Sequence, residues 1–191
     1  MISVLFVAKN SVYKTLSDSA GEPLDCWDED RDAVKWPGGN PIVAHPPCRL
    51  FSQLRHMSTA PKEEKELAYW SVERVREWSG VLEHPSRSRL WGDMQLPKPG
   101  YHDRWGFTVS LPQYWFGHKG DKWTWLYICG VDICELLDIP FRLGYLENVF
   151  AGGSRKYIPG SRHSGIRSAT PPAFARWLIE TAERCKQPVT S

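Results

Sequence analysis

A cysteine that follows two prolines is the most distinctive chemical feature of the sequence. The apolar run Ile42–His45 predicts a buried strand, and Cys48 comes directly after the Pro-Pro pair that ends it. This rigid turn would hold the thiol at the carboxyl end of the sheet, where open α/β folds bind ligands. A thiolate there is a nucleophile, provided that its pKa is lowered by neighbouring positive charge from Arg49, Arg55, His45 or His56. The competing interpretation of Cys48 is a small buried hydrophobic residue.

A carboxylate is predicted at the same edge of the sheet. The run Val81–Glu83 predicts the next buried strand, so Glu83 would stand at its carboxyl end. A nucleophile beside a carboxylic acid suits attack on a heteroaromatic ring whose nitrogen is protonated or hydrogen-bonded at the same time. The alternative is a structural carboxylate that caps a helix beginning near Ser86.

A parallel α/β sheet would position these two residues. Ser3–Ala8 is a continuous apolar run, typical of a strand that is covered on both faces. Between Pro61 and Ser79 the apolar residues recur on one helical face, with Thr59 as the predicted cap and Gly80 as the stop. This helix joins the predicted strands at Ile42–His45 and Val81–Glu83, and such an order implies a right-handed crossover in a parallel sheet.

The remaining segments complete the predicted architecture. Residues 9–40 are expected to be mostly loop, with at most one short helix or strand. Phe107–Phe116 and Trp123–Gly130 predict an antiparallel pair at the edge of the sheet. Residues 144–167 predict a long loop, and a last helix would begin at Thr170-Pro171. We therefore predict a three-layer, Rossmann-like α/β fold whose mostly parallel sheet has an antiparallel edge.

Length and composition agree with one folded domain over residues 1–191. Hydrophobic residues make up 41% and charged residues 24% of the chain, which excludes a disordered or fibrous protein. The net charge of +2 neither requires nor excludes a nucleic-acid partner. The 5 cysteines match neither a disulfide framework nor a zinc site, so we expect no metal and a reducing, cytoplasmic location. No apolar run approaches the ~20 residues of a membrane span.

Several motifs resemble those of the DNA cytosine-5 methyltransferase family. PPCRLFS (46–52) is similar to the family's catalytic PPC-x-x-FS loop, and LEHP (82–85) is similar to its ENV-type strand end. FGHKGDKWTWLYICG (116–130) is similar to a late motif in which basic residues precede an apolar strand. TPPAFARWLIETA (170–182) is similar to the closing helix. The resemblance covers residues 42–130 most closely and implies a reduced, methyltransferase-like core.

The resemblance implies a transferase that modifies a base. Cys48 would add to C6 of a flipped-out cytosine, Glu83 would contact N3 and the exocyclic amine, and C5 would take a methyl group from S-adenosylmethionine. Lys119 or Lys122 would replace an arginine of the late motif, which places Lys122 in the predicted catalytic set. The same motifs imply that neighbouring residues contact the substrate, namely Pro47, Arg49, Ser52, His84 and Lys119.

Two departures from the family pattern leave the cofactor and the target open. The stretch after the first strand, VAKNSVYKTL (7–16), has no glycine, whereas the family has a glycine-rich loop that approaches the donor closely. The interval between Gly130 and Thr170 is too short for the recognition domain of members that act on duplex DNA. Its basic segment Gly152–Arg167 could grip phosphates, with Arg162 and Arg167 among the contacts, or form a solvated surface loop. The small size would suit a phage protein.

Three functions therefore remain open. The first is methyl or one-carbon transfer to a pyrimidine, in DNA or as a nucleotide, with S-adenosylmethionine as the donor. The second keeps Cys48 and Glu83 but not the donor, and would remove a C5 substituent, deaminate the base or cleave it. The third is a catalytically inactive module that binds nucleic acid or a nucleotide.

Overall fold

The computed structural model describes residues 1–53, 55–120, 122–142 and 169–186. Over these ranges the chain forms one six-stranded sheet and three α-helices. The strands are β1 Ser3–Val7, β2 Asp25–Asp28, β3 Ile42–Ala44, β4 Gly80–Pro85, β5 Gly106–Pro112 and β6 Trp123–Cys129. The helices are α1 Glu64–Trp78, α2 Leu90–Asp93 and α3 Pro172–Arg184.

The sheet is mostly parallel, as predicted. Its strand order is β2-β1-β3-β4-β6-β5, and the pairs β1–β2, β1–β3 and β3–β4 are parallel. Strand β6 pairs antiparallel with both β4 and β5, which confirms the predicted antiparallel pair at the edge. Strands β2 and β3 lie on opposite sides of β1. The strand order of the sheet therefore reverses after β2.

Helices cover both faces of the sheet, which confirms the three layers. Alternate strand residues face opposite sides: Val43 and Val81 pack in the core that contains α3 residues, whereas Ala44 and Leu82 pack in the core that contains α1 residues. Strands that are buried on both faces read as continuous apolar runs. This is why β1, β3 and β4 could be predicted from the sequence.

The ends of the helices differ from the prediction. Helix α1 begins at Glu64 and has no side-chain cap, so Thr59 does not cap it. Helix α3 likewise follows Pro171 without a side-chain cap. Gly80 was predicted to stop α1, but it is the first residue of β4. A glycine is required there because a Cβ would lie 2.0 Å from the carbonyl oxygen of Ile42. The glycine therefore allows β4 to approach β3 closely.

The segment 9–40 contains more structure than predicted. It forms β2 and two 3-10 turns, Val12–Thr15 and Ala33–Lys35. The sequence pattern did not predict β2, because this strand lies at the edge of the sheet and its residues are largely half-buried. The predicted loop at 144–167 lies outside the described residues. Within the described part of the chain, no helix has the length and apolar character needed to cross a membrane.

Candidate active site

The candidate active site lies at the carboxyl ends of β3 and β4. His45 and Cys48 follow β3, and Glu83 lies in the last half of β4. The turn that follows β1 supplies Tyr13, which hydrogen-bonds to His45. In open α/β sheets ligands bind where neighbouring strands lead off in opposite directions, and β1 and β3 form such a point. The topology therefore brings these side chains to the expected edge.

Glu83 is held by hydrogen bonds at both carboxylate oxygens. Its Oε1 accepts from Gln113 Nε2 at 3.1 Å and from the hydroxyl of Thr124. Its Oε2 lies 3.1 Å from His45 Nδ1, and His45 Nε2 lies 2.8 Å from the Tyr13 hydroxyl. We call these five residues the Glu83 network. Glu83 is 8% exposed, so most of the residue is buried within the fold.

The electrostatics of the Glu83 network determine which of its groups are protonated. Burial by itself raises the pKa of Glu83, but the charge of Lys122 and the hydrogen bonds from His45 and Thr124 outweigh it and hold this pKa well below its usual range. Burial and the charge of Glu83 raise the pKa of Tyr13, so the phenol that contacts His45 Nε2 keeps its proton. Because an ionised carboxylate can only accept, His45 Nδ1 carries a hydrogen and donates it to Glu83.

The thiol of Cys48 is half-buried and protonated at neutral pH. Burial and the charge of Glu83 raise its pKa, against the opposing charge of Lys122. The expected lowering of this pKa by nearby basic residues is therefore wrong. Arg49 instead forms a bidentate ion pair with Glu64 of α1, in which Arg49 Nε lies 3.1 Å from Glu64 Oε1. Arg55 and His56 lie in an exposed 3-10 turn.

The three predicted catalytic residues lie within electrostatic range of one another. The charges of Glu83 and Lys122 both act on the Cys48 thiol, and that of Lys122 also acts on Glu83. Glu83 does not cap a helix, because α2 begins only at Leu90 and Ser88 accepts from its backbone. The predicted helix-capping role of Glu83 is therefore wrong.

Of the residues predicted to contact the substrate, some lie beside Cys48 and others lie away from it. Pro47 is half-buried beside Cys48, whereas the hydroxyl of Ser52 donates to the Arg49 carbonyl within its own turn, at 3.3 Å. Lys119 is exposed in the turn before β6. Arg162 and Arg167 lie outside the described residues.

His84 is the clearest correction to the predicted site. Its side chain is 1% exposed and packs edge-on against Phe51 and Trp91, in the core on the α1 face. Burial lowers its pKa to about 4, so the ring is neutral. Because successive strand residues point to opposite faces, Glu83 and His84 cannot both reach the site.

The residues after β1 do not fit the methyl donor that the family resemblance implies. The Val12–Thr15 turn directs Tyr13 into the fold, where it is 1% exposed and its ring centroid lies 5.2 Å from that of His45. Asp28 ends β2, the position from which a carboxylate holds a ribose in dinucleotide-binding Rossmann folds. Here it accepts from Lys14 Nζ at 2.5 Å and from the backbone of Asp30 and Arg31. An adenosyl group would have to displace these contacts.

Two further observations bear on ligands. Among the described residues, no three His, Cys, Asp or Glu side chains are grouped so that they could hold a metal ion. A cavity of about 280 Å³ is lined by residues near the amino ends of β1 and β3, including Ile2 and Pro41. It lies at the end of the sheet opposite to Cys48.

Sequence analysis missed most of the Glu83 network. Gln113 and Thr124 gave no signal of their own, because only the pairing of β6 with both β4 and β5 brings them to Glu83. Tyr13 belongs to a segment predicted as loop. Comparison with known proteins adds no assignment: no family model, curated protein or solved structure matches the chain significantly. The function is therefore inferred from this site.

Proposed function

We propose that the protein is an enzyme that acts at C5 of a pyrimidine by reversible addition of the Cys48 thiol to C6, without S-adenosylmethionine. The observation that carries this proposal is a half-buried thiol within electrostatic range of an ionised, largely buried carboxylate, both at the carboxyl ends of β3 and β4. We also infer a Rossmann-like, reduced methyltransferase-like core. The parallel order β2-β1-β3-β4, with the reactive residues at the carboxyl ends, supports this inference.

The chemistry needs only the thiol, the ring and water. The Cys48 sulfur forms a bond to C6, and the electron pair of the C5=C6 bond moves to C5, which takes up a proton equivalent to the one that sulfur lost. Departure of the original C5 hydrogen as a proton returns the pair to C5=C6 and expels the thiolate. The net result is exchange of the C5 hydrogen with solvent. A C5 substituent that can leave without its bonding electrons would be removed by the same steps.

Glu83 and Lys122 have separate roles in this scheme. Glu83 binds the N3 edge of the ring and orients it so that C6 meets the sulfur. Lys122 supplies positive charge near both groups, which favours the step in which negative charge moves from sulfur to the ring. Because the Cys48 thiol is protonated in the free enzyme, this stabilisation is needed at the moment of attack.

The donor-free reaction is favoured over methyl transfer by the residues after β1. Tyr13 and Lys14 belong to the stretch that the family resemblance assigns to the donor loop, and both are engaged within the fold, Tyr13 with His45 and Lys14 with Asp28. Isothermal titration with S-adenosylmethionine tests this part separately. One-site binding would overturn the donor-free reaction and restore methyl transfer.

The main experiment measures exchange of the C5 hydrogen in D2O by mass spectrometry. The substrates are dUMP, dCMP and single-stranded oligonucleotides that contain the same bases. Wild-type protein should catalyse deuterium incorporation into at least one of them, and Cys48→Ser should abolish it because a serine hydroxyl is a far weaker nucleophile. Cys134→Ser is the matched control, since Cys134 is an exposed cysteine in another turn, Ile133–Glu135.

A covalent readout complements the exchange experiment. An oligonucleotide that carries 2-pyrimidinone, a ring that accepts thiols at C6, should form an adduct with wild-type and Cys134→Ser protein but not with Cys48→Ser. If the wild-type protein neither exchanges C5 hydrogen on any substrate nor forms this adduct, the proposed function is wrong.

A further inference from the structure

We propose that this site selects pyrimidines that carry a hydrogen on N3, as uracil and thymine do, over cytosine. The inference rests on the proposed function and names its substrate class. It departs from what the family resemblance implies, because that family acts on cytosine. The reason lies in the acceptor positions that the Glu83 network leaves open.

The carboxylate of Glu83 has a single acceptor position left for a ligand. A carboxylate has about four lone-pair positions, two on each oxygen. On Oε1 both are taken, by Gln113 Nε2 and the Thr124 hydroxyl. On Oε2 one is taken by His45 Nδ1. Because Gln113 and Thr124 are fully buried, only Oε2 can face a bound ring.

That remaining position can accept a hydrogen bond but cannot donate one. Glu83 is ionised, and the hydrogen on His45 Nδ1 is committed to it because Nδ1 lies 3.1 Å from Oε2. The charge of Lys122 also acts on this carboxylate and further stabilises its ionised form. The site therefore presents one acceptor at the place where the N3 edge of the ring binds.

The two kinds of pyrimidine meet this acceptor differently. Uracil offers N3–H, a donor that pairs directly with Oε2. Cytosine offers the lone pair of N3, which would face the carboxylate unless the ring first gains a proton, and its amine alone would leave N3 unmatched. Sites that are built around one hydrogen bond reject ligands that cannot make it. We expect dUMP to exchange its C5 hydrogen at least about tenfold faster than dCMP.

Replacing the carboxylate by a carboxamide should reverse this preference. In Glu83→Gln the carbonyl oxygen is fixed in the position of Oε1, since both Gln113 and Thr124 donate to it. The amide nitrogen must then take the position of Oε2. One of its hydrogens points to His45, which accepts on Nδ1 and donates from Nε2 to Tyr13. The other hydrogen points to the ligand and matches the N3 lone pair of cytosine.

The test compares dUMP, dCMP and 3-methyl-dUMP in the C5 exchange assay, with wild type and Glu83→Gln. Wild type should prefer dUMP and lose activity on 3-methyl-dUMP, and Glu83→Gln should shift the ratio towards dCMP by about tenfold or more. Oligonucleotides with dU or dC in place of the free nucleotides show whether the base is taken from a strand. The wild-type ratio and the methylated probe need no variant, so they remain decisive if Glu83→Gln fails to fold.

The outcomes separate this inference from the proposed function. Exchange that is as fast on dCMP as on dUMP, or undiminished on 3-methyl-dUMP, would overturn the selectivity while leaving the thiol chemistry intact. A folded Glu83→Gln protein that keeps the wild-type ratio would also overturn it. If no base exchanges, the thiol chemistry itself is wrong and the selectivity falls with it.

Discussion

The hydroxyl of Thr124 offers a direct measure of how strongly the fold depends on an ionised Glu83. Thr124→Val keeps the shape of the side chain but removes the hydroxyl whose single hydrogen is donated to Glu83 Oε1, and whose oxygen also lies 3.0 Å from the His84 carbonyl. Both groups are buried, so water cannot replace the lost hydrogen bond. A hydrogen bond to a charged group contributes about 1.5–3 kcal/mol, and we expect the free energy of unfolding to fall by about 2 kcal/mol.

The assay is urea unfolding at pH 7, followed by tryptophan fluorescence, in a double-mutant cycle with Glu83→Gln. In the Glu83→Gln background the acceptor is neutral, so Thr124→Val should cost only about 1 kcal/mol. The remaining coupling of about 1 kcal/mol reports the charge of Glu83. If Thr124→Val costs the same in both backgrounds, or less than about 0.5 kcal/mol in the wild type, Glu83 is not the ionised acceptor described above.

Three other predictions follow from the charges around the site. Lys122→Met should slow C5 exchange by at least about tenfold while Lys122→Arg keeps most of the rate, and equal rates for the two variants would remove Lys122 from the mechanism. Because the pKa of Cys48 is raised, the exchange rate should climb about tenfold per pH unit between about pH 7 and 9, and a plateau near pH 7 would show that the thiolate is already formed. The pKa of His84 falls to about 4 in the folded state, from 6.5, so its contribution to stability is present above pH 6.5 and is lost as the pH falls towards 4. Urea unfolding should therefore show a loss of about 3 kcal/mol across this range that His84→Gln lacks, and an unchanged pH profile in that variant would contradict the assignment.

The parts of the fold that follow local patterns could be predicted from the sequence. The apolar runs of β1, β3 and β4 and the helical periodicity of α1 are consequences of burial on known faces. Strand β2 could not be recognised, because an edge strand has no continuous apolar face and Asp25 makes polar contacts with Ser3 and Trp27. Its existence depends on pairing with β1, which no short window of sequence contains.

The candidate site shows the same limit. The locations of Cys48 and Glu83 followed from the rule that parallel strands bring their carboxyl ends to one edge. The protonation of Cys48 did not, because Arg49 pairs with a residue of α1 rather than with the thiol. The position of His84 could have been predicted, since strand alternation alone places it on the face opposite to Glu83.

The place of β4 in the sheet restricts insertions and deletions within this strand. This strand has a parallel neighbour on one side and an antiparallel neighbour on the other, and the two ladders use different hydrogen-bond patterns. Deleting or inserting one residue within it would break both ladders at once and exchange the faces of Glu83 and His84. The Glu83 carboxylate would then lie in the apolar core on the α1 face, and the His84 imidazole would take its place in the candidate site. Sequence variants of this protein should therefore tolerate substitutions in β4 far better than changes in its length.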